Sequence, residues 1–269
     1  MSSRCLETAA LCAALWAPAA LGQAEAPLRV CADPDNLPYS HADGSGFENR
    51  LARLVADELR RPLAQHWLPQ RRGFVRKTLG AGECDVLLGV PADFERVLAT
   101  APYYRSGYVV VTRADDRAPL RGFDDARLPR LRIGVQLIGD DLAATPPGHA
   151  LARRGAVEKV VGFTVFGDGP AAERMVQALA RGELDAALVW GPQAGYFAQR
   201  AGVPLDVQVV APPPGTAEPF EFAIAMGVRR GDTALRDALD GVIDRRRADI
   251  DRLLADYGVP RTDRPEAPR

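Results

Sequence analysis

LGAGECDVLLGVP (residues 79–91) and LARGELDAALVW (residues 179–190) share one local grammar. Leu79, Gly82, Glu83, Asp85 and Leu88 recur as Leu179, Gly182, Glu183, Asp185 and Leu188, each shifted by 100 residues. In both stretches a helix stops at a glycine, an acidic turn follows, and an apolar run reads as a strand buried on both faces. A repeat of this kind predicts two lobes built on one plan.

Outward from the first copy, Leu28 to Ala32 reads as a short apolar strand and Phe47 to Arg60 as a helix with Phe47, Leu51, Leu54, Val55 and Leu59 inward. A strand at Leu63 to Leu68, a helix near Arg72 to Leu79 and the strand Val86 to Val90 complete a βαβαβ unit. The second copy belongs to a similar alternation, with strands at Leu131 to Gln136, Val160 to Phe166 and Ala186 to Trp190. Its helix opens at Pro170 and stops at Gly182. After the prolines Pro212, Pro213, Pro214 and Pro219 come only one strand, Phe220 to Val228, and a helix from Asp232. One strand and its helices cannot form a third domain, so the chain is expected to return to the first lobe, leaving a two-strand hinge. The fold class is therefore α/β with two lobes: 27–113 and 217–258 form lobe 1, 119–211 form lobe 2, and 259–269 are expected to be a flexible tail.

Residues 1–24 have the layout of a secretory signal, with Arg4 before an apolar stretch from Ala9 to Leu21 and small residues where cleavage would fall. Trp16 and Pro18 interrupt that stretch, which is too short for a spanning anchor, and no later segment is expected to cross a membrane. Removal of Arg4 and Glu7 leaves the net charge at -1, which gives no electrostatic reason for a nucleic-acid partner. Of four cysteines, Cys31 and Cys84 survive cleavage. An oxidising compartment favours a bridge between them, whereas strand register argues for an offset of roughly 10 Å. Both readings stay open.

The runs GFENRLARLVADELRRPL (46–63), CDVLLGVP (84–91), APYYRSGYVVV (101–111) and RIGVQ (132–136) resemble the family 3 extracellular solute-binding proteins, the periplasmic receptors of importers for amino acids and related solutes. The resemblance implies the type II periplasmic binding protein fold, each lobe a mostly parallel sheet flanked by helices. CADPDNLPYS (31–40), PQRRGFVRKTL (69–79) and PYYRSGYVVV (102–111) are more narrowly similar to the methanol-oxidation J proteins, encoded beside quinoprotein dehydrogenases. That likeness implies a periplasmic accessory of a methanol or alcohol dehydrogenase dependent on pyrroloquinoline quinone (PQQ), and implicates its cytochrome c as a further partner. Maturation, activation or cofactor loading would be its service, with PQQ held transiently and no cofactor bound tightly.

In amino-acid receptors of this family a second-lobe acid takes the ligand's ammonium group, and that position here is Trp190. The family's carboxylate-gripping arginine matches Arg96, and its anion loop corresponds to Gly139–Asp141, where Asp140 and Asp141 would repel an anion. A free α-amino acid is therefore not the expected ligand, although an importer receptor for a solute without an α-ammonium group is an alternative function. Loops after parallel strands face the crevice, which nominates Asn36, Tyr39, Arg71, Arg72, Trp190 and Gln193. Arg71 and Arg72 beside Phe74 would suit a planar polyanion such as PQQ, or form a solvated surface. No catalytic or metal site is expected. His41, His66 and His149 lack ligand spacing, and turn chemistry around Pro34 accounts for Asp33 and Asp35 more simply than a catalytic pair.

Overall fold

The computed structural model describes residues 26–138, 143–165 and 169–263. Lobe 1 opens with β1 (Leu28–Ala32), α1 (Phe47–Glu58), β2 (Leu63–Trp67), the single turn α2 (Phe74–Lys77) and β3 (Val86–Pro91). The long strand β4 (Tyr104–Arg113) leads into lobe 2: β5 (Ile133–Ile138), α3 (Pro146–Arg153), β6 (Val160–Thr164), α4 (Ala171–Ala180), β7 (Ala186–Trp190), α5 (Gly191–Ala198) and β8 (Leu205–Val209). The chain returns through β9 (Glu221–Val228) and closes lobe 1 with α6 (Thr233–Arg245) and α7 (Arg247–Asp256).

Across the sheet the order is β6-β5-β7-β4-β9-β3-β1-β2. Within the lobes β1 runs parallel to β2 and β3, and β5 runs parallel to β6 and β7. The hinge is antiparallel: β4 pairs with β9 from Tyr104↔Ile224 to Gly107↔Glu221, then with β7 from Tyr108↔Trp190 to Val111↔Ala187. The crossing between lobes thus falls inside β4, near Gly107 and Tyr108, rather than after residue 113. One strand serves both lobes because its apolar run, buried from Ser106 to Thr112, suits a sheet interior on either side.

The 100-residue repeat has a physical basis. Arg29 at the start of β1 donates from Nε and Nη2 to the two carboxylate oxygens of Asp85, at 3.2 and 2.6 Å, while its backbone N–H donates to Oδ2 at 3.1 Å. In lobe 2, Arg132 repeats the same three bonds to Asp185, at 3.2, 2.6 and 2.8 Å. Each aspartate returns its own N–H to the arginine carbonyl, at 2.7 and 2.9 Å. This two-point fork fixes the register of the first and third strands of each lobe.

Capping follows the chemistry read from the sequence. Asp232 accepts from the N–H of Leu235 at the start of α6, and Gly182 takes φ +74° after α4. Helix α3 was not anticipated: it begins with Pro146 and Pro147, whose fixed φ suits a first helical turn.

Two expectations are corrected. The register argument against a disulfide fails, because Cys31 and Cys84 are bridged with Cα atoms 5.4 Å apart. That argument took Cys84 as collinear with β3. Cys31 pairs with Leu87, so a Cα separation of 5.4 Å from Cys84 means that the chain bends out of line ahead of β3 and brings Cys84 beside Cys31. The tail is also less loose than expected. Val259 is buried, Ser106 Oγ donates to the Pro260 carbonyl at 2.6 Å, and the Thr262 N–H donates to Arg105 at 3.1 Å. The signal segment and residues 264–269 lie outside the described residues.

The bridge spans 53 residues of sequence, for which loop-closure entropy gives about 4 kcal/mol of stabilisation. Urea unfolding of the mature protein with and without a thiol reductant checks this: the reduced midpoint should fall markedly, and coincident curves would refute the contribution.

Candidate functional site

Between the lobes lies a cavity of about 550 Å³. Its walls come from the loop after β1, the start of α1, the C-terminal ends of β3 and β7, and the hinge strands.

The loop after β1 is pinned to α1 by that helix's own unsatisfied donors. The N–H groups of Phe47 and Glu48 donate to the carbonyls of Pro38 and Tyr39, both at 2.8 Å. Asn49 Oδ1 accepts from the N–H groups of Gly46 and His41 at 3.1 and 3.0 Å, closing the cap. Tyr39 and Glu48 therefore enter the cavity side by side. Because the first helical N–H groups are already occupied, they do not solvate the Glu48 carboxylate. That carboxylate lies against Gly89 of β3, where even a methyl group would meet it. No ion pair to Glu48 occurs among the described residues. Burial raises its pKa from 4.5 to about 7.

Four phenols face the same region. Burial pushes Tyr39, Tyr103 and Tyr104 well above the ordinary phenol value, reinforced in each case by the Glu48 charge, and burial alone takes Tyr108 to about 12. Tyr103 is structural: its hydroxyl donates to the Leu88 carbonyl at 2.8 Å. Trp190 stands at the lobe 2 wall with Tyr108 and Phe222 at ring-centroid distances of 5.5 and 5.6 Å, both edge-on. Across the cavity it faces Tyr39, whose raised phenol pKa it partly offsets. Gln136 Nε2 donates to Gln193 Oε1 at 3.0 Å beside it.

Of the residues nominated from sequence, Asn36, Tyr39, Phe74, Trp190 and Gln193 line this cavity. Arg71, Arg72 and Arg96 are exposed and do not line it. Arg71 and Arg72 sit in the loop before the short turn of α2, which turns only Phe74 inward. Asp140 lies outside the described residues. Asp33 reaches the wall, but its carboxylate accepts from the N–H groups of Asp35 and Gln70 and so belongs to a turn, which removes the imagined Asp33–Asp35 catalytic pair. His41 pairs with Asp43 and His149 with Glu218, and no cluster able to hold a metal occurs among the described residues.

Glu48, Tyr104, Tyr108, Gln136 and Phe222 were not nominated from the sequence. Glu48 stands in the first turn of α1, where an acid ordinarily faces solvent and complements the helix dipole. Nothing local distinguishes it from that common case.

Among the described residues, no arginine, lysine or histidine lines the wall. The undescribed segments 139–142 and 166–168 contribute aspartates and no basic residue to the sequence. Thr145 brings the start of α3 to the cavity, yet Pro146 and Pro147 remove two of the N–H groups that a helix end would offer an anion. A polyanion such as PQQ does not fit these residues. A carboxylate able to face an ammonium group is present in Glu48, so Trp190 does not by itself exclude α-amino acids, and no cationic partner for a ligand carboxylate lines the cavity among the described residues.

Residues 28–259 match the bacterial extracellular solute-binding proteins, family 3. The chain belongs to that family. This solute-binding protein is 34% identical over 252 residues to Protein MoxJ of Methylorubrum extorquens, covering 87% of this chain and 81% of the relative. The crystal structure of periplasmic binding protein XoxJ from Methylobacterium extorquens AM1 superposes with a TM-score of 0.72 at 38% identity, covering 87% of this chain and 98% of that one. That of MxaJ from Methlophaga aminisulfidivorans MPT gives 0.77 at 26% identity, covering 87% and 99%. The family assignment supports a periplasmic binding protein with the two-lobed type II fold.

Since Glu48 binds its proton more tightly in the folded state than in the unfolded chain, it costs stability as pH rises from the unfolded value of 4.5 through about 7. Glu48→Gln should therefore melt higher than the wild type at pH 8, with the gap closing at pH 5. Thermal melts at both pH values check the sign.

Proposed function

We propose that this protein is a non-catalytic periplasmic accessory of a PQQ-dependent methanol or alcohol dehydrogenase, acting in its maturation or activation. The likeness to MoxJ over 87% of the chain carries the reading. Two features of the site support it. Among the described residues the wall offers no basic side chain to the carboxylate that every α-amino acid presents, which speaks against ordinary receptor chemistry. The cation-free wall also directs the accessory role toward the dehydrogenase polypeptide, with its cytochrome c as a second partner, rather than toward storage of PQQ in the cleft.

No reaction is assigned to the scaffold. Among the described residues, the acids at the wall are a turn aspartate held by two N–H groups and Glu48, whose titratable neighbours are phenols raised well above their ordinary value. Affinity purification of the tagged mature protein from periplasm containing a PQQ-dependent dehydrogenase should recover that enzyme, and deletion of the gene should lower methanol oxidation. Recovery of no dehydrogenase together with unimpaired oxidation would refute the proposal.

A further inference from the structure

The most unusual group in the cavity is a carboxylate with no counter-charge. Burying an ionised carboxylate without a partner is expensive, and folded chains normally relieve the cost with an arginine, a lysine or several N–H donors. Here the obvious donors, the first N–H groups of α1, are taken by Pro38 and Tyr39. The cavity that holds the carboxylate is also walled by Tyr39, Tyr104, Tyr108, Trp190 and Phe222, and the Tyr39 and Tyr104 phenols lie near enough to feel its charge. The Trp190 contacts with Tyr108 and Phe222 are both at interplanar angles of 71°, so these rings do not cover one another by parallel stacking. Aromatic faces and one carboxylate on a wall without cations attract positive charge and repel negative charge. A small ammonium ion bearing only hydrogens would forfeit its hydration on such a wall, whereas alkyl groups on nitrogen both weaken that hydration and gain contact with the rings.

We infer that the interlobe cavity is a receptor site for an alkylated organic ammonium ion, with Glu48 as its counter-ion and Trp190, Tyr39, Tyr108 and Phe222 as its aromatic wall. The ligand carries no carboxylate, which separates it from the amino acids bound by receptors of this fold. The site does not depend on the dehydrogenase reading, since it is built within this chain.

Ionisation of Glu48 is required for pairing. The groups facing it are the phenols of Tyr39 on the loop after β1, of Tyr103 just before β4 and of Tyr104 at its start, with the Tyr108 phenol and the Asp33 carboxylate further along the wall and Arg261 acting on Tyr104 from the C-terminal segment. The phenols stay protonated between pH 6 and 8, so the binding profile reports Glu48. With a carboxyl pKa near 7, the ionised fraction and the affinity rise about tenfold over that interval.

Isothermal titration of the mature protein with choline and benzyltrimethylammonium tests the site, with 3,3-dimethylbutan-1-ol as the uncharged isostere of choline and alanine as the zwitterion. At least one of the two cations is expected to bind, more tightly at pH 8 than at pH 6, while the isostere and alanine do not. Glu48→Gln should weaken cation binding at least tenfold, and its melting curve verifies the fold independently. The inference is overturned if neither cation binds, if the neutral isostere binds as well as choline, if affinity falls with rising pH, or if Glu48→Gln binds as the wild type does. None of these outcomes bears on whether the dehydrogenase co-purifies, so the two readings fail separately.

Discussion

One charged fork, used twice, sets the frame of the molecule. Arg29 with Asp85 and Arg132 with Asp185 tie the entry of each lobe's first strand to the entry of its third. Burial pulls the Asp85 carboxyl upward, but hydrogen bonds from Arg29 and Arg229 outweigh it and hold it below the usual carboxylate range. Asp185, bound by Arg132, is likewise lowered. With the starts of the strands locked in register, their opposite ends emerge at a common level. Loops from those ends converge on a single crevice, as they do at the carboxyl edge of other parallel sheets.

What fills that crevice is decided by what was left out of it. The protein is rich in arginine, and many of its guanidinium groups are held in forks and surface pairs, while none lines the cavity among the described residues. The cleft instead presents rings, amides and an isolated acid. Such a wall discriminates by sign of charge before it discriminates by shape, because a desolvated anion would find no donor of opposite charge anywhere along it.

The sequence made the skeleton legible and the site only in part. Strands such as Leu28–Ala32 and Ala186–Trp190 were visible because their apolar runs are too short for a helix and are bounded by turn signals. Trp190 was recognisable as a cleft residue because it ends such a strand. Arg71 and Arg72 misled for a geometric reason: they lie in the exposed loop ahead of α2, and the chain faces inward only at Phe74, where that turn begins. Cys31 and Cys84 misled because register constrains only residues inside a strand, and Cys84 precedes β3. Glu48 escaped notice because its type and position are ordinary, and only the combination of a pinned loop, occupied N–H donors and an apolar opposite wall makes it exceptional.

The C-terminal segment gives the hinge a third connection. After α7 the chain lays Gly258 against α5, so closely that no side chain could replace the hydrogens of Gly195, and it then bonds to Ser106 and Arg105 on the first hinge strand. A helix of one lobe is thereby tethered to a helix of the other outside the sheet. Two crossing strands alone would swing like a door on its pins; a strap on the back edge turns the door into a bracket, and the angle between the lobes becomes a property of the folded chain rather than a variable left for a guest to set.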